Sequence, residues 1–484
     1  MRLDQLMPCA PPGTGDVEIS DLVYDNRLVT PGALFFCVVG FTRDGHDFAY
    51  DAVSRGAAAL VVQRPLGLGV PEIQVESVRA AMAPAAAAFF GDPTAALQTI
   101  AVTGTNGKTT TAFLVRAELE ADGRQTGLLG TVKSVIGGSE REVQRTTPEA
   151  IDLQRTFHEM LDHGDRACSM EVSSHALELR RADAIHFAAA VFTNLTQDHL
   201  DFHPDMEAYF NAKRMLFADL APRAAIVNLD DPYGARLASE LEHPITYAIR
   251  ADAAAYRATD VTTDIGGSTF TAHTPDGELT LSSPLRGEFN VYNVLGALAA
   301  ARSVGVPAAT CTAAIATAGQ VPGRFETIDA GQPFAVVVDY AHTPDSLENV
   351  LSAARGLTDA NLIAVFGCGG DRDRGKRPMM GEIANRLADR VIVTSDNPRS
   401  EEPAAIVNEI LVGAGPGVEH EVDRYAAIAR SIESAEPGDV VVIAGKGHEQ
   451  GQEFKDGYKI PFDDATVVRE ILGVTAAGAG AHGR

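Results

Sequence analysis

The sequence predicts an α/β protein of three domains, with a mainly parallel sheet in the central domain. Short apolar strands alternate with helix-like segments along most of the chain, which is typical of parallel sheets covered by helices. Two breaks interrupt this pattern: the turn-rich stretch 91–97 (GDPTAAL) and the Gly- and Pro-rich stretch 319–326 (GQVPGRFE). We therefore expect an N-terminal α/β domain at 1–98, a central domain at 99–321 and a C-terminal domain at 322–473.

The predicted elements follow the same division. In the first domain we expect strands at 33–40 and 57–63 and an Ala-rich helix at 78–90. In the central domain a strand at 99–104 enters a Gly-rich loop and then a periodic helix at 109–122, and a second helix is predicted at 206–217. The remaining predicted strands of the central and C-terminal domains are 167–174, 188–195, 224–230, 333–340, 361–370, 390–397 and 439–447. The small, polar tail at 474–484 is expected to be disordered.

The bulk composition excludes several classes of protein. With 484 residues the chain is too long for one core, and its net charge of −25 argues against a nucleic-acid surface. No apolar run is long enough to span a bilayer, and the N-terminus lacks the features of a signal peptide, so we expect a cytoplasmic protein without membrane insertion. The five cysteines contain no CxxC pair, which argues against a zinc site or a disulfide framework. The sequence gives no indication of the oligomeric state.

A phosphate-binding loop is the strongest local signal. The segment 103–110 (TGTNGKTT) lies between a predicted strand and a predicted helix, which is the context that a P-loop requires. Its glycines let backbone N–H groups face phosphates, Lys108 can pair with phosphate oxygens, and the Thr109 hydroxyl can bind Mg²⁺. The loop is a short variant, because Val102 stands where the common pattern has glycine. A P-loop alone does not distinguish a hydrolysing switch from a kinase or a ligase.

Candidate metal ligands follow two central strands. Glu171 ends one strand and is a natural ligand for Mg²⁺, which prefers hard oxygens. The loop after the next strand contains Asp198, His199, Asp201 and His203, of which one could be a ligand and the others ordinary polar residues. On composition alone, Lys213 in the helix at 206–217 would be an ordinary solvated lysine.

The ordered set of motifs resembles the Mur ligase family, which assembles the peptide of the bacterial cell-wall precursor. The segments that carry the resemblance, in chain order, are FFGDPTAALQTIAVTGTNGKTT, MEVSSHAL, TNLTQDHLDFH, YFNAKRMLF, GEFNVYNVLGALAA, VPGRFE and VVDYAHTPDSL. The resemblance covers nearly the whole chain. It implies a UDP-substrate domain, a central ATPase domain and a C-terminal Rossmann-like domain that brings the incoming amino acid.

The resemblance also implies the nucleotide and metal sites. It places Lys108, His199 and Lys213 at catalytic positions, with Lys213 carbamylated by CO₂ so that a cation becomes an anionic oxygen ligand. The implied metal ligands are Thr109, Glu171, His199 and the Lys213 carbamate. The implied ATP-binding residues are Gly104, Thr105, Asn106, Gly107, Lys108, Thr109, Thr110, Asn293, Arg324, Asp339 and His342.

At the positions implied for the UDP-linked substrate, this sequence departs clearly from the family pattern in one turn. The family has an Asp-Ser-Arg turn at the uracil nucleotide, and this chain reads Asp25-Asn26-Arg27. Leu179 also stands where glutamine is more usual, so no contact is carried over there. The residues implied to hold UDP-MurNAc-L-Ala-D-Glu are Asn26, Thr146, Thr147, Ser173 and Arg181.

The segment 396–399 (DNPR) resembles that of family members that add meso-diaminopimelate. A guanidinium binds a carboxylate through two parallel hydrogen bonds, so Arg399 can select the distal carboxylate that lysine lacks. Lysine would leave this cation unpaired, which is a strong rejection mechanism. The alternative is that Arg399 forms a surface ion pair with Glu401 or Glu402. The residues implied to bind diaminopimelate are Arg372, Asp396, Asn397, Pro398, Arg399, Gly445 and Glu449.

The implied reaction is ATP-dependent amide formation. The D-Glu γ-carboxylate would attack the ATP γ-phosphate, and the amine of the amino acid would then attack the acyl phosphate. A dinucleotide site at 367–372 is rejected, because Arg372 stands where GxGxxG requires its third glycine. Competing functions are a lysine-adding relative, a folylpolyglutamate synthetase, a P-loop switch and an inactive binding scaffold.

Overall fold

The computed structural model describes residues 1–143, 145–264 and 266–473. The predicted disordered tail at 474–484 lies outside these residues. Within them the chain forms two compact units. The first contains residues 1–103, 123–190 and 212–224, and the second contains the rest of the described chain.

The helices and strands are numbered in chain order. The helices are α1 (Leu3–Leu6), α2 (Ala49–Ser54), α3 (Val78–Phe89), α4 (Lys108–Ala121), α5 (Ala150–Asp162), α6 (Ser174–Glu178), α7 (Met206–Ala218), α8 (Pro232–Glu240), α9 (Glu288–Ser303), α10 (Ala308–Ala316), α11 (Pro344–Arg355), α12 (Lys376–Leu387), α13 (Pro403–Ala414), α14 (Arg424–Glu433) and α15 (Asp464–Ile471). The strands are β1 (Asp21–Val23), β2 (Ala33–Phe36), β3 (Ala59–Val62), β4 (Glu72–Gln74), β5 (Gln98–Thr103), β6 (Thr126–Leu129), β7 (Ser134–Ile136), β8 (Ser139–Arg141), β9 (Ala167–Glu171), β10 (Phe187–Phe192), β11 (Ala225–Asn228), β12 (Ile245–Ala248), β13 (Tyr256–Asp264), β14 (Gly267–Thr274), β15 (Gly277–Ser283), β16 (Glu326–Ile328), β17 (Ala335–Asp339), β18 (Leu362–Phe366), β19 (Arg390–Val393), β20 (Glu419–His420), β21 (Val440–Ala444), β22 (Gln452–Glu453) and β23 (Lys459–Ile460).

The first unit begins with a small parallel sheet of four strands in the order β1-β2-β3-β4. Leu34 and Phe36 of β2 and Met82 of α3 are completely or almost completely buried in its core. Helix α3 begins where the Ser77 hydroxyl accepts a hydrogen bond from the N–H of Ala80, a typical N-cap. This confirms the predicted strands and the predicted Ala-rich helix of the N-terminal segment.

A second sheet of the first unit has the order β10-β5-β9-β6-β7-β8. Strands β5, β9 and β6 are parallel, and β7 and β8 add an antiparallel edge. The parallel strands are buried throughout except at Gln98, which explains their continuous apolar sequences. Their carboxyl ends lead into the polar segments that the sequence analysis selected.

The second unit contains a sheet that sequence analysis predicted only in part. Strands β11, β12 and β13 are parallel, whereas β13, β14 and β15 form an antiparallel meander. We did not predict the meander, although two signals were present: buried residues alternate along β14, and the Pro-Asp-Gly turn at 275–277 leads into β15.

The other sheet of the second unit has the order β16-β17-β21-β18-β19-β20. Strands β17, β21, β18 and β19 are parallel, as the sequence predicted. Helices α11, α12 and α13 cover one face, and α14 and α15 cover the other. Each of these four strands is shorter than predicted, because the residues after it leave the sheet to form loops.

The α/β fold class is therefore confirmed, with mainly parallel sheets. The domain boundaries at residues 98 and 321 stay predictions. None of the described helices combines the length and apolar character that a membrane span requires.

Candidate active site

The phosphate loop has two positions that only glycine can occupy. Gly104 has φ 148° and Gly107 has φ 84°, a region that favours glycine. A Cβ atom at Gly104 would lie 1.8 Å from Oγ1 of Thr193, and one at Gly107 would lie 2.3 Å from Oδ1 of Asn293. The loop therefore approaches its neighbours too closely for any side chain at these two positions.

Hydrogen bonds fix the conformation of this loop. The N–H groups of Thr105 and Asn106 donate to the carbonyl oxygen and to Oδ1 of Asn194, each at 2.9 Å. The Thr193 hydroxyl donates to the carbonyl of Asn106 at 2.6 Å. Nζ of Lys108 donates to the carbonyls of Thr105 and Gly104, at 2.7 and 2.9 Å. The loop leads directly into α4, whose N-terminus favours an anion such as a phosphate.

The ATP-binding residues predicted after residue 290 also lie in the second unit. Asn293 is buried on α9 and accepts a hydrogen bond from the Thr111 hydroxyl at 3.3 Å. Arg324 donates to Oγ1 of Thr109 at 3.2 Å, and its guanidinium carbon lies 4.3 Å from the centre of the Tyr340 ring. These contacts bring Asn293 and Arg324, two of the predicted residues, to the first turn of α4.

Asp339, at the end of β17, is held by the backbone. Its carboxylate accepts hydrogen bonds from the N–H groups of Phe325 at 2.6 Å and Ala341 at 2.7 Å. Burial raises the pKa of Asp339, although the positive charge of Arg324 and these two hydrogen bonds act in the opposite direction. Its role in the structure is therefore to hold the backbone at Phe325 and at Ala341 next to the end of β17.

Asp345 is a neighbour of the phosphate loop that sequence analysis missed. The amide of Asn106 donates to its Oδ2 at 2.7 Å, and burial raises the pKa of Asp345. It stands in the first turn of α11, where an acidic residue is common for helix stability alone. No local signal therefore marked it as a contact of the loop.

A pocket opens where several strands of the second unit end. Its walls come from the loops that follow β17, β18, β19 and β21, together with residues 198–201. Ligands bind at the carboxyl ends of strands in sheets of this kind. The lining residues are Asp198, His199, Asp201, Tyr340, His342, Gly369, Arg372, Asp373, Lys376, Asp396, Asn397, Arg399, Gly445 and Glu449.

Asp198 carries negative charge into this pocket. Burial alone would raise the pKa of Asp198, but the close approach of His342 and the charges of His199, His342 and Lys376 hold it well below its usual value. Nε2 of His199 lies 3.4 Å and Nε2 of His342 lies 3.7 Å from Oδ2 of Asp198. The predicted residues His199 and His342 thus share one carboxylate.

The 396–399 segment and the 445–449 loop are joined through a buried lysine. Nζ of Lys446 donates to Oδ1 of Asn397 at 2.8 Å and lies 3.3 Å from Oε2 of Glu449 and 3.4 Å from Oδ1 of Asp396. The amide of Asn397 also donates to Oε2 of Glu449 at 2.7 Å. The three acceptors were predicted from the sequence and Lys446 was not, since Asp396 and Asn397 lie about fifty residues from it in the chain.

Arg399 lies at the same pocket, with a left-handed backbone at φ 51°. Nη1 donates to the carbonyl of Gly370 at 2.8 Å, and Nε donates to Oε2 of Glu453 at 3.2 Å. Arg399 therefore pairs with Glu453, and the alternative with Glu401 or Glu402 is wrong. The prediction that lysine would leave this cation unpaired is also wrong, because the protein itself supplies the Glu453 carboxylate.

Glu401 instead pairs with Arg377, a fully buried residue at the start of α12. The guanidinium of Arg377 donates to both carboxylate oxygens of Glu401, at 2.7 and 2.9 Å, and to Oε2 of Glu409 at 2.7 Å. It also donates to the carbonyl of Gly369 at 3.2 Å. Arg377 thus links the loop after β18 to the segment after β19. The sequence analysis missed it, because an arginine on a helix is usually exposed.

Arg372 is half exposed in the loop after β18. Its Nη1 lies 3.5 Å from Oδ2 of Asp201, and the neighbouring Asp373 accepts a hydrogen bond from the amide of Gln197 at 3.0 Å. Lys376 is buried and donates to the carbonyl of His342 at 2.8 Å. Arg372 was predicted for the amino acid, whereas Lys376 and Asp373 were missed.

The first unit holds all five residues predicted for the UDP-linked substrate. The hydroxyl of Thr147 donates to the carbonyl of Glu171 at 3.0 Å and accepts from the N–H of Ser173 at 3.2 Å. Arg181 is mostly buried, lies 2.9 Å from Oε1 of Glu149 and donates to the carbonyl of Thr147 at 3.2 Å. These three predicted residues are neighbours.

Glu171 and Thr146 meet at Thr131. The Glu171 carboxylate accepts from the N–H of Thr131 at 2.7 Å and from its hydroxyl at 3.1 Å, and the hydroxyls of Thr131 and Thr146 are 3.1 Å apart. Asn26 is elsewhere in this unit, where its amide donates to Oδ2 of Asp51 at 2.7 Å.

Lys213 lies on α7 with a side chain that is almost completely buried, at 1% exposure. The buried residues Phe210, Ala212 and Leu216 are close to it in the helix. The expectation of an ordinary solvated lysine is therefore wrong. The predicted metal ligands belong to both units: Glu171 and Lys213 to the first, Thr109 and His199 to the second. In the described part of the chain, no three His, Cys, Asp or Glu side chains are arranged to hold a metal ion.

Comparisons with known proteins match nearly the whole chain. Residues 102–301 match the model of the Mur ligase middle domain, residues 323–447 the Mur ligase glutamate ligase domain, and residues 18–90 the Mur ligase family catalytic domain. The chain belongs to the Mur ligase family. This Mur ligase is an ATP-dependent enzyme that forms amide bonds, and the switch and the inactive scaffold are thereby excluded.

Two curated relatives of this Mur ligase carry the same name. A UDP-N-acetylmuramoyl-L-alanyl-D-glutamate–2,6-diaminopimelate ligase from Geobacillus thermodenitrificans is 48% identical over 95% of this chain and 96% of its own length. The protein of that name from Streptomyces coelicolor is 46% identical over 97% of this chain and 95% of its own length.

Solved structures agree with the fold. A ligase structure of the same name has a TM-score of 0.72 and 33% identity, covering 98% of this chain and 99% of its own. A MurF ligase from Thermotoga maritima in complex with ADP has a TM-score of 0.65 at 20% identity, covering 88% of this chain and 94% of its own. A folylpolyglutamate synthase from Mycobacterium tuberculosis has a TM-score of 0.63 at 18% identity, covering 82% and 95%. At these two lower identities the likeness shows the fold alone.

Proposed function

We propose that this Mur ligase joins meso-2,6-diaminopimelate to the D-Glu γ-carboxylate of UDP-MurNAc-L-Ala-D-Glu through an acyl phosphate. One observation carries the proposal: six of the seven residues predicted for diaminopimelate line a single pocket, and they include partners for both the carboxylate and the ammonium groups of an amino acid. These are Arg372, Asp396, Asn397, Arg399, Gly445 and Glu449. The names of the curated relatives support the same substrate pair.

The two ends of diaminopimelate require opposite partners in this pocket. Arg399 and Arg372 offer guanidinium groups for a carboxylate, and a guanidinium can hold a carboxylate through two parallel hydrogen bonds. Glu449 offers a carboxylate for an ammonium group. Lys446 fixes the orientation of Glu449 and Asn397, so these groups need little reorganisation when the amino acid binds.

The phosphate loop supplies the nucleotide site. Gly104 and Gly107 allow the backbone to approach phosphates, and the Lys108 ammonium can move from the loop carbonyls to the γ-phosphate oxygens. Arg324 lies beside Thr109 and adds positive charge at the start of α4. These groups hold the γ-phosphate for attack by the D-Glu carboxylate and stabilise the charge that develops on it.

The donor atoms fit Mg²⁺. Magnesium is usually held by one or two protein carboxylates together with substrate phosphates, so a complete cage of side chains is not required. We propose that Thr109, Glu171, His199 and a carbamate on Lys213 hold it. The bound ion would neutralise phosphate charge. Lys213 itself is almost completely buried beside apolar helix residues, so its side chain is held in place to serve as a ligand.

Binding of the UDP-linked dipeptide is assigned to the first unit. Thr147, Ser173 and Arg181 are neighbours there, and Thr146 lies beside Thr131, which also contacts Glu171. Asn26 keeps a hydrogen-bonding amide where the family has serine. We also propose domain boundaries at residues 98 and 321 and a cytoplasmic location. We propose no nucleic-acid partner, because the net charge of −25 disfavours binding to phosphate backbones.

Release of inorganic phosphate from ATP tests the function. The purified enzyme is mixed with ATP, Mg²⁺ and UDP-MurNAc-L-Ala-D-Glu, and then with diaminopimelate, with lysine or with no amino acid. We expect rapid release only with diaminopimelate, and the Lys108→Ala variant should be inactive while keeping its far-UV circular dichroism spectrum. Faster turnover with lysine would contradict the proposed substrate, and activity with a folate substrate alone would indicate the other family branch.

A further inference from the structure

The ion pair between Arg399 and Glu453 affects how the pocket can select an amino acid. Nε of Arg399 lies 3.2 Å from Oε2 of Glu453, and the two side chains are only 22% and 32% exposed. Both groups are therefore partly removed from water, where an ion pair is screened less than at an open surface. The guanidinium that would recognise a substrate carboxylate has a carboxylate partner within the protein.

The backbone fixes the position of Glu453. It is the last residue of β22, which pairs with β23 in a short hairpin. Its N–H donates to Oδ1 of Asn397 at 2.9 Å, and its carbonyl accepts from the N–H of Arg399 at 3.0 Å. Since both bonds use the main chain, a glutamine at position 453 should keep the hairpin in place and change only the side-chain charge.

The ion pair between Arg399 and Glu453 has opposite consequences for the binding of lysine and of diaminopimelate. For lysine, whose distal end lacks a carboxylate, it removes the cost of leaving a shielded cation without a partner. For diaminopimelate, it brings a second carboxylate close to the distal carboxylate, and like charges repel. Nη2 of Arg399 donates no hydrogen bond to any residue that the structure describes, so a substrate carboxylate can use the Nη1–Nη2 edge.

We infer that Glu453 is a specificity-determining residue that limits the preference of Arg399 for an amino acid with a distal carboxylate. This inference rests on the proposed function. Glu453 keeps Nε of Arg399, the substrate carboxylate takes the opposite edge of the same guanidinium, and the two carboxylates share one positive charge. The wild-type enzyme therefore discriminates between diaminopimelate and lysine less strongly than an enzyme whose Arg399 had no carboxylate partner.

The Glu453→Gln variant tests the inference. With ATP and the UDP-linked dipeptide saturating, kcat and KM are measured for diaminopimelate and for lysine. We expect KM to fall for diaminopimelate and to rise for lysine, so that the ratio of their kcat/KM values increases by about three- to tenfold, the size appropriate to one partly exposed ion pair. The KM for ATP should stay the same.

A matched control is Glu419→Gln, which removes a carboxylate–arginine ion pair from the six-stranded sheet. Glu419 pairs with Arg390 at the first residue of β19, whereas the pocket lies beyond the last residue of that strand. The amino-acid ratio should stay at its wild-type value in this variant.

A double-mutant cycle shows whether Glu453 acts through Arg399. In an Arg399→Ala background, Glu453→Gln should leave the amino-acid ratio unchanged, because no guanidinium remains to be released. An equal loss of kcat/KM for both amino acids in both backgrounds would indicate a structural role and overturn the inference. An unchanged ratio in the single variant would also overturn it while leaving the proposed function intact. A wild-type enzyme without diaminopimelate-dependent phosphate release would overturn both.

Discussion

Buried charged residues organise the pocket at the scale of single side chains. The side chains of Lys446 and Arg377 are completely shielded, yet each contacts two carboxylates or more. Removing one partner of a buried ion pair costs about 3–5 kcal/mol, because the other charge is left without compensation. These two cations therefore fix the loops that present Asn397, Glu449 and Gly369.

Lys213 provides the first prediction at this scale. Lys213→Ala should lower kcat by about a hundredfold or more, because the proposed anionic ligand for the metal would be lost. Added acetate or formate should restore part of the activity by entering the space that the side chain leaves. Lys213→Arg, which fills that space and cannot be carbamylated, should be inactive and insensitive to these anions. Normal turnover of the wild-type enzyme in CO₂-depleted buffer would contradict the carbamate.

Glu118 provides a prediction about pH. It is fully buried on α4, neither of its carboxylate oxygens has a hydrogen-bond partner among the described residues, and the Cys311 thiol lies beside it. Burial raises the pKa of Glu118 well above its usual value. The folded protein therefore holds this proton at pH values where the unfolded chain has lost it, and the free energy of unfolding falls as the pH rises above about 4.3.

Glu118→Met keeps the length of the side chain and removes the ionisable group. The variant should melt at a higher temperature than the wild type at pH 8, with a gain of about 1–3 kcal/mol, the cost of an unsatisfied buried polar group. The difference should shrink as the pH is lowered towards 5. Differential scanning calorimetry at several pH values measures it, and a constant difference across this range would contradict a raised pKa.

At the scale of elements, the functional groups lie where strands end. Strands β17, β18, β19 and β21 are apolar and buried, and each is followed by a loop that contributes to the pocket. The phosphate loop obeys the same rule, since it follows β5 and precedes α4. The strands thus supply a rigid frame, and the polar chemistry is confined to the connections.

Gly107→Ala tests the phosphate loop as an element. The new Cβ would lie 2.3 Å from Oδ1 of Asn293, at a φ of 84° that alanine rarely adopts. The value of kcat/KM for ATP should fall by about a hundredfold or more, because the loop backbone must move away from the phosphates. Gly123→Ala is the control: its φ is 79°, but nothing lies within 4 Å of the new Cβ, so it should cost some stability and leave the ATP kinetics unchanged. Equal kinetic loss in both variants would indicate that left-handed strain alone is responsible.

At the scale of the whole molecule, nucleotide binding should appear as stabilisation. A non-hydrolysable ATP analogue with Mg²⁺, at a hundred times its Kd, should stabilise the folded state by about 2.7 kcal/mol. The thermal transition that contains the phosphate loop should then rise by about 5–10 °C. Chelation of Mg²⁺ should reduce this shift. An equal shift with adenosine, which has no phosphate, would contradict recognition through the loop.

Much of this protein could be predicted from local sequence. Apolar runs predicted the parallel strands, because a strand that is buried on both faces needs a continuous apolar sequence. The spacing of glycine, lysine and threonine predicted the phosphate loop, because all the residues of this motif lie within eight consecutive positions. The resemblance to the Mur ligase family then supplied residues such as Arg324 and Asn397, which no local pattern distinguishes from ordinary polar positions.

Tertiary structure decided which charges meet. Nothing near Arg399 in the sequence indicates that its partner is Glu453 and not Glu401, and nothing near Lys446 indicates three acceptors from two loops. Lys213 and Arg377 are helix residues that composition assigns to the surface, whereas packing buries both. The physical reason is the same in each case: the energy of a charge depends on its burial and on its partners, and both are set by segments far apart in the chain.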